Sequence, residues 1–187
     1  MLGKKINLGI NSYILFFFTL IAYFYLNQAS SVQKITDNDD VIQLRQLAMQ
    51  GMWIRVKRLA PYVEAESPLE YGPKEAIKDA SELVLLLNKV ERLWPKESNM
   101  SYFGFTNANP SVWAVPKYFD RLYTEAENAA KGLEVSLKEG DDNSAVNFMC
   151  QLGQSCGSCH ASFRRLLTSQ LANEASAWSG KYIKKCN

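Results

Sequence analysis

Apolar residues recur every three or four positions in four long segments of this 187-residue sequence. This spacing places them along one face of an α-helix, which completes a turn in about 3.6 residues. No segment alternates apolar and polar residues with the period of two that marks a half-buried strand. The pattern therefore predicts an all-α protein, and four amphipathic helices in succession favour an antiparallel four-helix bundle.

Prolines, a glycine and acidic residues indicate where these helices begin and end. Pro73 and Pro116 suit the first turns of the second and third helices, and Pro95 and Gly140 follow their last turns. The fourth helix is expected to begin at a cap formed by Asp141 or Asp142 and to reach at least residue 169. The first three predicted helices span residues 39–63, 73–93 and 116–139. Residues 95–115 form a long loop whose aromatic residues include Tyr102, Phe103 and Phe105.

The N-terminal 31 residues have the layout of an export segment. Lys4 and Lys5 precede the apolar residues 13–26, and small residues follow at 29–31. This order of basic, apolar and small residues is typical of a secretory signal. We favour a cleaved signal over a retained membrane anchor, because residues 13–26 are short for a membrane span, although counting from Ile6 gives a sufficient length. Residues 32–187 are then the exported domain, which we expect in the periplasm.

Basic and acidic residues are nearly balanced, at 21 and 19, with a formal net charge of +2. Lys4 and Lys5 lie in the export segment and no acidic residue precedes Asp37, so the exported domain is close to neutral. The sequence contains no basic stripe, which argues against a nucleic-acid partner.

A Cys-x-x-Cys-His pattern at residues 156–160 lies within the fourth predicted helix. With about 100° of rotation per residue, Cys159 lies about 60° to one side of Cys156 and His160 about 40° to the other. Two thiols can therefore add to the vinyl groups of one haem while the imidazole reaches the iron from the same side. The pattern predicts one covalently bound haem c, attached outside the cytoplasm, with His160 as an axial iron ligand.

Three other interpretations of this motif are weaker. A redox-active dithiol would follow a strand, and no strand is predicted there. A zinc site would recruit Cys150, but on a continuous helix Cys150 points about 120° away from Cys156. A chance pattern in a core helix leaves the export segment unexplained.

The haem helix resembles that of the class II c-type cytochromes, the cytochrome c′ family. The resemblance rests on Leu152-Gly153, the motif at 156–160, Phe163-Arg164, Arg45-Gln46 with Met49, and Pro110-Ser111-Val112-Trp113 with Phe119. It covers about residues 40–167. It implies a four-helix bundle with haem on the C-terminal helix, and a homodimer formed through the first two helices.

The resemblance also implies roles for two arginines. Arg45 is similar to the first-helix arginine near the haem propionates, and the alternative is a solvated surface side chain. Arg164 lies four residues after His160, and we expect it on the same helix face. It is similar to the arginine beside the proximal haem pocket, and the alternative is a charge that ends the helix. We expect both arginines to belong to the haem site.

Met49 is the candidate for a sixth iron ligand. Arg45, Met49 and Met52 share one helix face, so Met49 can point at the iron from the side opposite His160, and thioether ligation raises the reduction potential. The alternative is that Met49 fills apolar space, which leaves the iron five-coordinate and open to nitric oxide. The family contains both arrangements. We lean to a five-coordinate iron, because the aromatic loop supplies bulk over the pocket.

Electron transfer with partner redox proteins is the leading function. The second hypothesis is a haem protein that binds small gases such as nitric oxide. A haem enzyme such as a peroxidase is disfavoured, because His160 is the only histidine and no other imidazole remains for acid–base chemistry. The same count excludes bis-His ligation. We therefore expect a protein that is not an enzyme. Contact with the membrane is expected only if the N-terminal segment is retained.

The two cysteines outside the motif, Cys150 and Cys186, could pair in an oxidising compartment, but we favour two unpaired thiols. If the fourth helix continued to residue 179, Cys186 would start about 44 Å beyond Cys150. The seven remaining residues recover at most about 25 Å. A disulfide therefore requires the helix to break near Asn173 and the tail to fold back.

Overall fold

A computed structural model describes residues 38–100, 106–165 and 186 of the chain. Within these residues there are five α-helices: α1 (Asn38–Val63), α2 (Pro73–Val90), α3 (Ser111–Ala114), α4 (Pro116–Glu139) and α5 (Asp142–Phe163). The predicted all-α class is confirmed, since the same residues contain no strand beyond an isolated antiparallel bridge between Ala108 and Arg164. The predictions for residues 1–31 and for Tyr102, Phe103 and Phe105 lie outside the described residues.

The four long helices form the predicted antiparallel bundle. The main packing pairs are α4 with α5, α1 with α2, and α2 with α4, whereas α1 and α5 touch each other much less. Because each long helix packs against the next one in the chain, neighbouring helices run in opposite directions. The start of α1, the end of α2, the start of α4 and the end of α5 therefore lie at one end, which we call the motif end.

The apolar stripes meet in one core. Its most completely buried large side chains are Leu59, Leu83, Leu133, Met149 and Leu152. Burial of each such side chain contributes about 1.5–3 kcal/mol to folding. Among the described residues, no helix has the length and apolarity needed to cross a membrane.

The predicted bounds of α5 require correction at its C-terminal end. The helix ends at Phe163 and does not reach residue 169. The backbone then pairs with the loop before α3: Asn109 N donates to Phe163 O at 2.7 Å, and Arg165 N donates to Asn107 O at 2.7 Å. These long-range hydrogen bonds replace the helical ones, and no local feature of the sequence predicts them. The second helix is also shorter than predicted, ending at Val90.

The prediction that Cys150 and Cys186 remain unpaired is wrong. The two residues form a disulfide, with their Cα atoms 5.5 Å apart. The distance argument failed because it assumed a helix running to residue 179, whereas α5 stops at Phe163. The break that a bridge requires is present, ten residues earlier than Asn173.

Candidate functional site

The Cys-x-x-Cys-His motif lies in the last two turns of α5. Cys156, Cys159 and His160 are all half-buried, and neither motif cysteine takes part in a disulfide. The thiol side chains pack against the hydrophobic core. At its other end α5 is anchored by Asp141, whose side chain accepts a hydrogen bond from Ser144 N at 3.0 Å. Because α5 is continuous through the motif, the side chains of Cys156, Cys159 and His160 project within one arc of the helix.

Burial keeps all three groups of the motif uncharged at neutral pH. It raises the pKa of the Cys156 thiol to about 12 and that of Cys159 to about 11. Burial, and then the charge of Arg164, lower the pKa of His160 to about 4. The imidazole is therefore neutral at pH 7, which is the form that ligates a metal.

The donor set fits haem attachment better than zinc. The buried Nδ1 of His160 has no hydrogen-bond partner among the described residues. Two thiols and this imidazole match the groups that a haem c requires. Zinc would need thiolates, and Cys150 is held in the disulfide. The described part of the chain contains no cluster of three or more His, Cys, Asp or Glu side chains that could hold a metal ion.

An aromatic layer packs behind the motif. The Phe119 ring lies 5.2 Å from Phe163, 4.9 Å from Trp94 and 5.8 Å from Tyr123, centroid to centroid. Tyr123 is buried and its hydroxyl donates to Leu87 O. Burial raises the pKa of this phenol well above its usual value, so it stays protonated. The layer joins α2, α4 and α5 at the motif end.

A cavity of about 360 Å³ adjoins this layer, lined by residues just after α2 and by residues of α3 and α4. Its aromatic walls are Trp94, Trp113, Phe119 and Tyr123. The motif residues do not line this cavity, but its wall residue Tyr123 is close enough to Cys156 and Cys159 to interact with them electrostatically.

Arg45 is buried at the motif end, with only 3% of its surface exposed. Its Nη1 donates to Leu93 O at 3.0 Å and to Ser98 Oγ at 2.8 Å, and its Nη2 lies 3.5 Å from Thr106 Oγ1. The alternative of a solvated surface arginine is therefore wrong. Burial lowers the pKa of this guanidinium to about 10, which still leaves it charged at neutral pH.

Arg164 lies just beyond the end of α5, in extended backbone with φ −106° and ψ 136°. The expectation that it shares a helix face with His160 is therefore wrong in detail. Its backbone N donates to His160 O at 3.1 Å, and its charge contributes to the lowered pKa of His160. It is both beside His160 and at the helix end.

Met49 lies on α1 one turn after Arg45. It is half-buried and packs against the hydrophobic core, and Met52 beside it is buried. The side chain thus meets the interior of the bundle.

Sequence reasoning missed the residues that hold Arg45. Ser98 and Thr106 are fully enclosed, with 0% and 4% exposure. Both are hydroxyl residues of a loop, and nothing in their spacing distinguishes them from surface residues. Trp94 and Trp113, at the two ends of that loop, were the available signal, because large aromatic side chains so placed tend to be buried.

The Cys-x-x-Cys-His motif is the attachment pattern of the c-type haem proteins as a class, and here it lies on the last helix that the structure describes. The family model described as Cytochrome C' matches residues 40–164. The chain therefore belongs to the cytochrome c′ family, whose members bind haem c with its iron.

Two relatives and two solved structures illustrate the match. Cytochrome c′ of Pararhodospirillum photometricum is 24% identical over 123 residues, covering 66% of this chain and 94% of its own. Cytochrome c-554 of Cereibacter sphaeroides is 29% identical over 127 residues, covering 67% and 80%. A nitric oxide complex of a cytochrome c prime mutant from Alcaligenes xylosoxidans superposes with a TM-score of 0.64 at 19% identity, covering 72% of this chain and 100% of that one. Cytochrome c′ of Rubrivivax gelatinosus gives a TM-score of 0.63 at 19% identity, covering 71% and 100%.

Proposed function

We propose that this protein is a periplasmic electron carrier with a single haem c. In this proposal Cys156 and Cys159 form the thioether bonds and His160 is the axial iron ligand. The observation that carries it is the half-buried motif on α5, with a neutral imidazole and two neutral thiols packed against the core. A bound haem supplies a one-electron couple at its iron.

The surrounding residues have supporting roles in the same proposal. Arg45 provides a buried positive charge at the motif end and is assigned to the haem propionates. Arg164 is assigned to the proximal side, beside His160. The core and the aromatic layer exclude water from this region. A site that is packed in advance reorganises little when its charge changes.

An enzymatic role is not part of the proposal. His160 is the only histidine of the chain. Its assigned role as an iron ligand leaves no second imidazole to move protons to and from a substrate.

Nitric oxide binding at a five-coordinate iron is the second candidate function. Nitric oxide complexes are among the structures that superpose on this fold. An iron without a protein ligand opposite His160 can carry electrons as well as bind a gas, so the two functions need a kinetic test. Stopped-flow reduction and reoxidation by small redox proteins is expected to be fast and complete. Slow exchange with such proteins, together with tight nitric oxide binding, would replace electron transfer by gas binding.

The periplasmic location is supported by two features. The N-terminal 31 residues have the order of an export signal, and the Cys150–Cys186 disulfide belongs in an oxidising compartment. Membrane attachment is proposed only for a chain that keeps its N-terminal segment.

A homodimer through α1 and α2 would cover their exposed apolar side chains Leu47, Ile54 and Leu85, and sedimentation of the exported domain would test it.

A further inference from the structure

Among the protein groups that the structure describes, only neutral ones hold the charge of Arg45. Its two closest hydrogen-bond acceptors are a backbone carbonyl and the Ser98 hydroxyl. None of the ion pairs formed within residues 38–100 and 106–165 includes Arg45. A buried guanidinium needs compensation of another kind.

Trp94 provides that compensation. The Cζ atom of Arg45 lies 4.5 Å from the centroid of the Trp94 ring and 5.7 Å from that of Trp113. A cation over an indole face at these distances is attracted by the ring quadrupole, most strongly where water is excluded. Leu93 O, Ser98 and the two rings thus surround the guanidinium.

Trp94 is itself fixed in place. The indole Nε1 of Trp113 lies 3.2 Å from Trp94 O and 3.2 Å from Pro95 O, and donates to both. The Trp94 ring packs edge-on against Phe119, with centroids 4.9 Å apart. Phe119 in turn contacts Phe163, three residues after His160. The ring that covers Arg45 is therefore part of the layer behind the motif.

We propose that Trp94 is a positioning residue that holds the positive charge of Arg45 inside the motif end and thereby raises the reduction potential of the haem. A nearby positive charge disfavours the ferric state, which carries one more positive charge than the ferrous state. The effect is large only while the charge stays in a medium of low dielectric constant. Without the indole face the guanidinium turns toward solvent, where water and salt screen it. This inference rests on the proposed haem function.

The test is a double-mutant cycle on the midpoint potential of the haem-loaded protein, measured by spectroelectrochemical titration at low and high salt. We expect Trp94→Leu and Arg45→Gln each to lower the potential. Adding Trp94→Leu to Arg45→Gln should lower it no further, because the charge that the ring positions is already gone. If Trp94→Leu lowered the potential equally in the unaltered protein and in Arg45→Gln, the proposal would be overturned, since Trp94 would then act on the haem without Arg45. An unchanged potential in Trp94→Leu would overturn it as well.

Trp94→Phe is the conservative variant and keeps the test decisive if Trp94→Leu does not fold. A phenyl ring retains an aromatic face for Arg45, so the potential should fall less than in Arg45→Gln and stay as insensitive to salt as in the unaltered protein. A potential as low as that of Arg45→Gln would contradict the positioning role. If the unaltered protein shows no haem spectrum, the proposed function itself is wrong. If it shows a haem spectrum but Trp94→Leu leaves the potential unchanged, only the role of Trp94 is wrong.

Discussion

At the scale of single residues, Gly132 lies where α4 and α5 approach closely. A Cβ atom at this position would overlap the ring of Phe148 on α5. Gly132→Ala gains up to about 1 kcal/mol of helix propensity, but the Phe148 ring must be displaced, and overpacking of this kind typically costs about 1–3 kcal/mol. We expect a net loss of stability in urea unfolding monitored by circular dichroism.

The matched control combines this change with Phe148→Ala. Once the ring is removed, alanine at position 132 should be neutral or stabilising relative to Phe148→Ala alone. A Gly132→Ala variant that is more stable than the unaltered protein would show that the Phe148 ring moves aside at little cost.

Met49 is the residue proposed as a possible sixth ligand, so it offers the test of the iron's coordination number. With a five-coordinate haem, the ferric protein should give a high-spin electron paramagnetic resonance signal at neutral pH, and Met49→Ala should leave it high-spin. Met52→Ala, on the same helix, is the control and should behave alike. A low-spin signal that becomes high-spin only in Met49→Ala would instead make Met49 the sixth ligand.

At the scale of helices, the local pattern of the sequence predicted most of the fold. The bounds of α4 follow from Pro116 at its start and from Gly140, whose φ of 71° ends it in the left-handed region. The end of α5 did not follow, because it depends on hydrogen bonds to residues 107–109, more than fifty positions earlier. The motif side chains were predictable since they share one helix, whereas the enclosure of Arg45 by Ser98 and Thr106 joins three separate segments.

The disulfide ties Cys186 to Cys150 on α5. It closes a loop between residues 36 positions apart. In the chain-entropy description, a loop of this size contributes about 3–4 kcal/mol by restricting the unfolded chain. We expect Cys186→Ser to lower the free energy of unfolding in urea by up to this amount.

Cys150→Ser is the matched control for the same bond. It should lose the same stability as Cys186→Ser, and the double variant should lose no more. Thiol labelling of unreduced, denatured, haem-loaded protein should find no free thiol in the unaltered chain and one in Cys186→Ser. Two free thiols in the unaltered chain would mean that the bridge is absent.

At the scale of the whole molecule, separate features converge at the motif end of the bundle. Helix α5 places Cys156, Cys159 and His160 at this end, and α1 places Arg45 there. The aromatic layer of Trp94, Phe119, Tyr123 and Phe163 joins the remaining elements. The opposite end carries none of these features among the described residues. The bundle is thus a scaffold whose chemistry is concentrated at one end, and every role proposed above depends on a haem bound there.

Covalent attachment of that haem is the central claim, and a denaturing gel stained for haem tests it most directly. The unaltered protein should keep its haem on the gel. The Cys156→Ser, Cys159→Ser double variant should lose it, while Cys150→Ser, which removes a cysteine outside the motif, should keep it. Haem that extracts from the unaltered protein into acidic acetone would contradict the account.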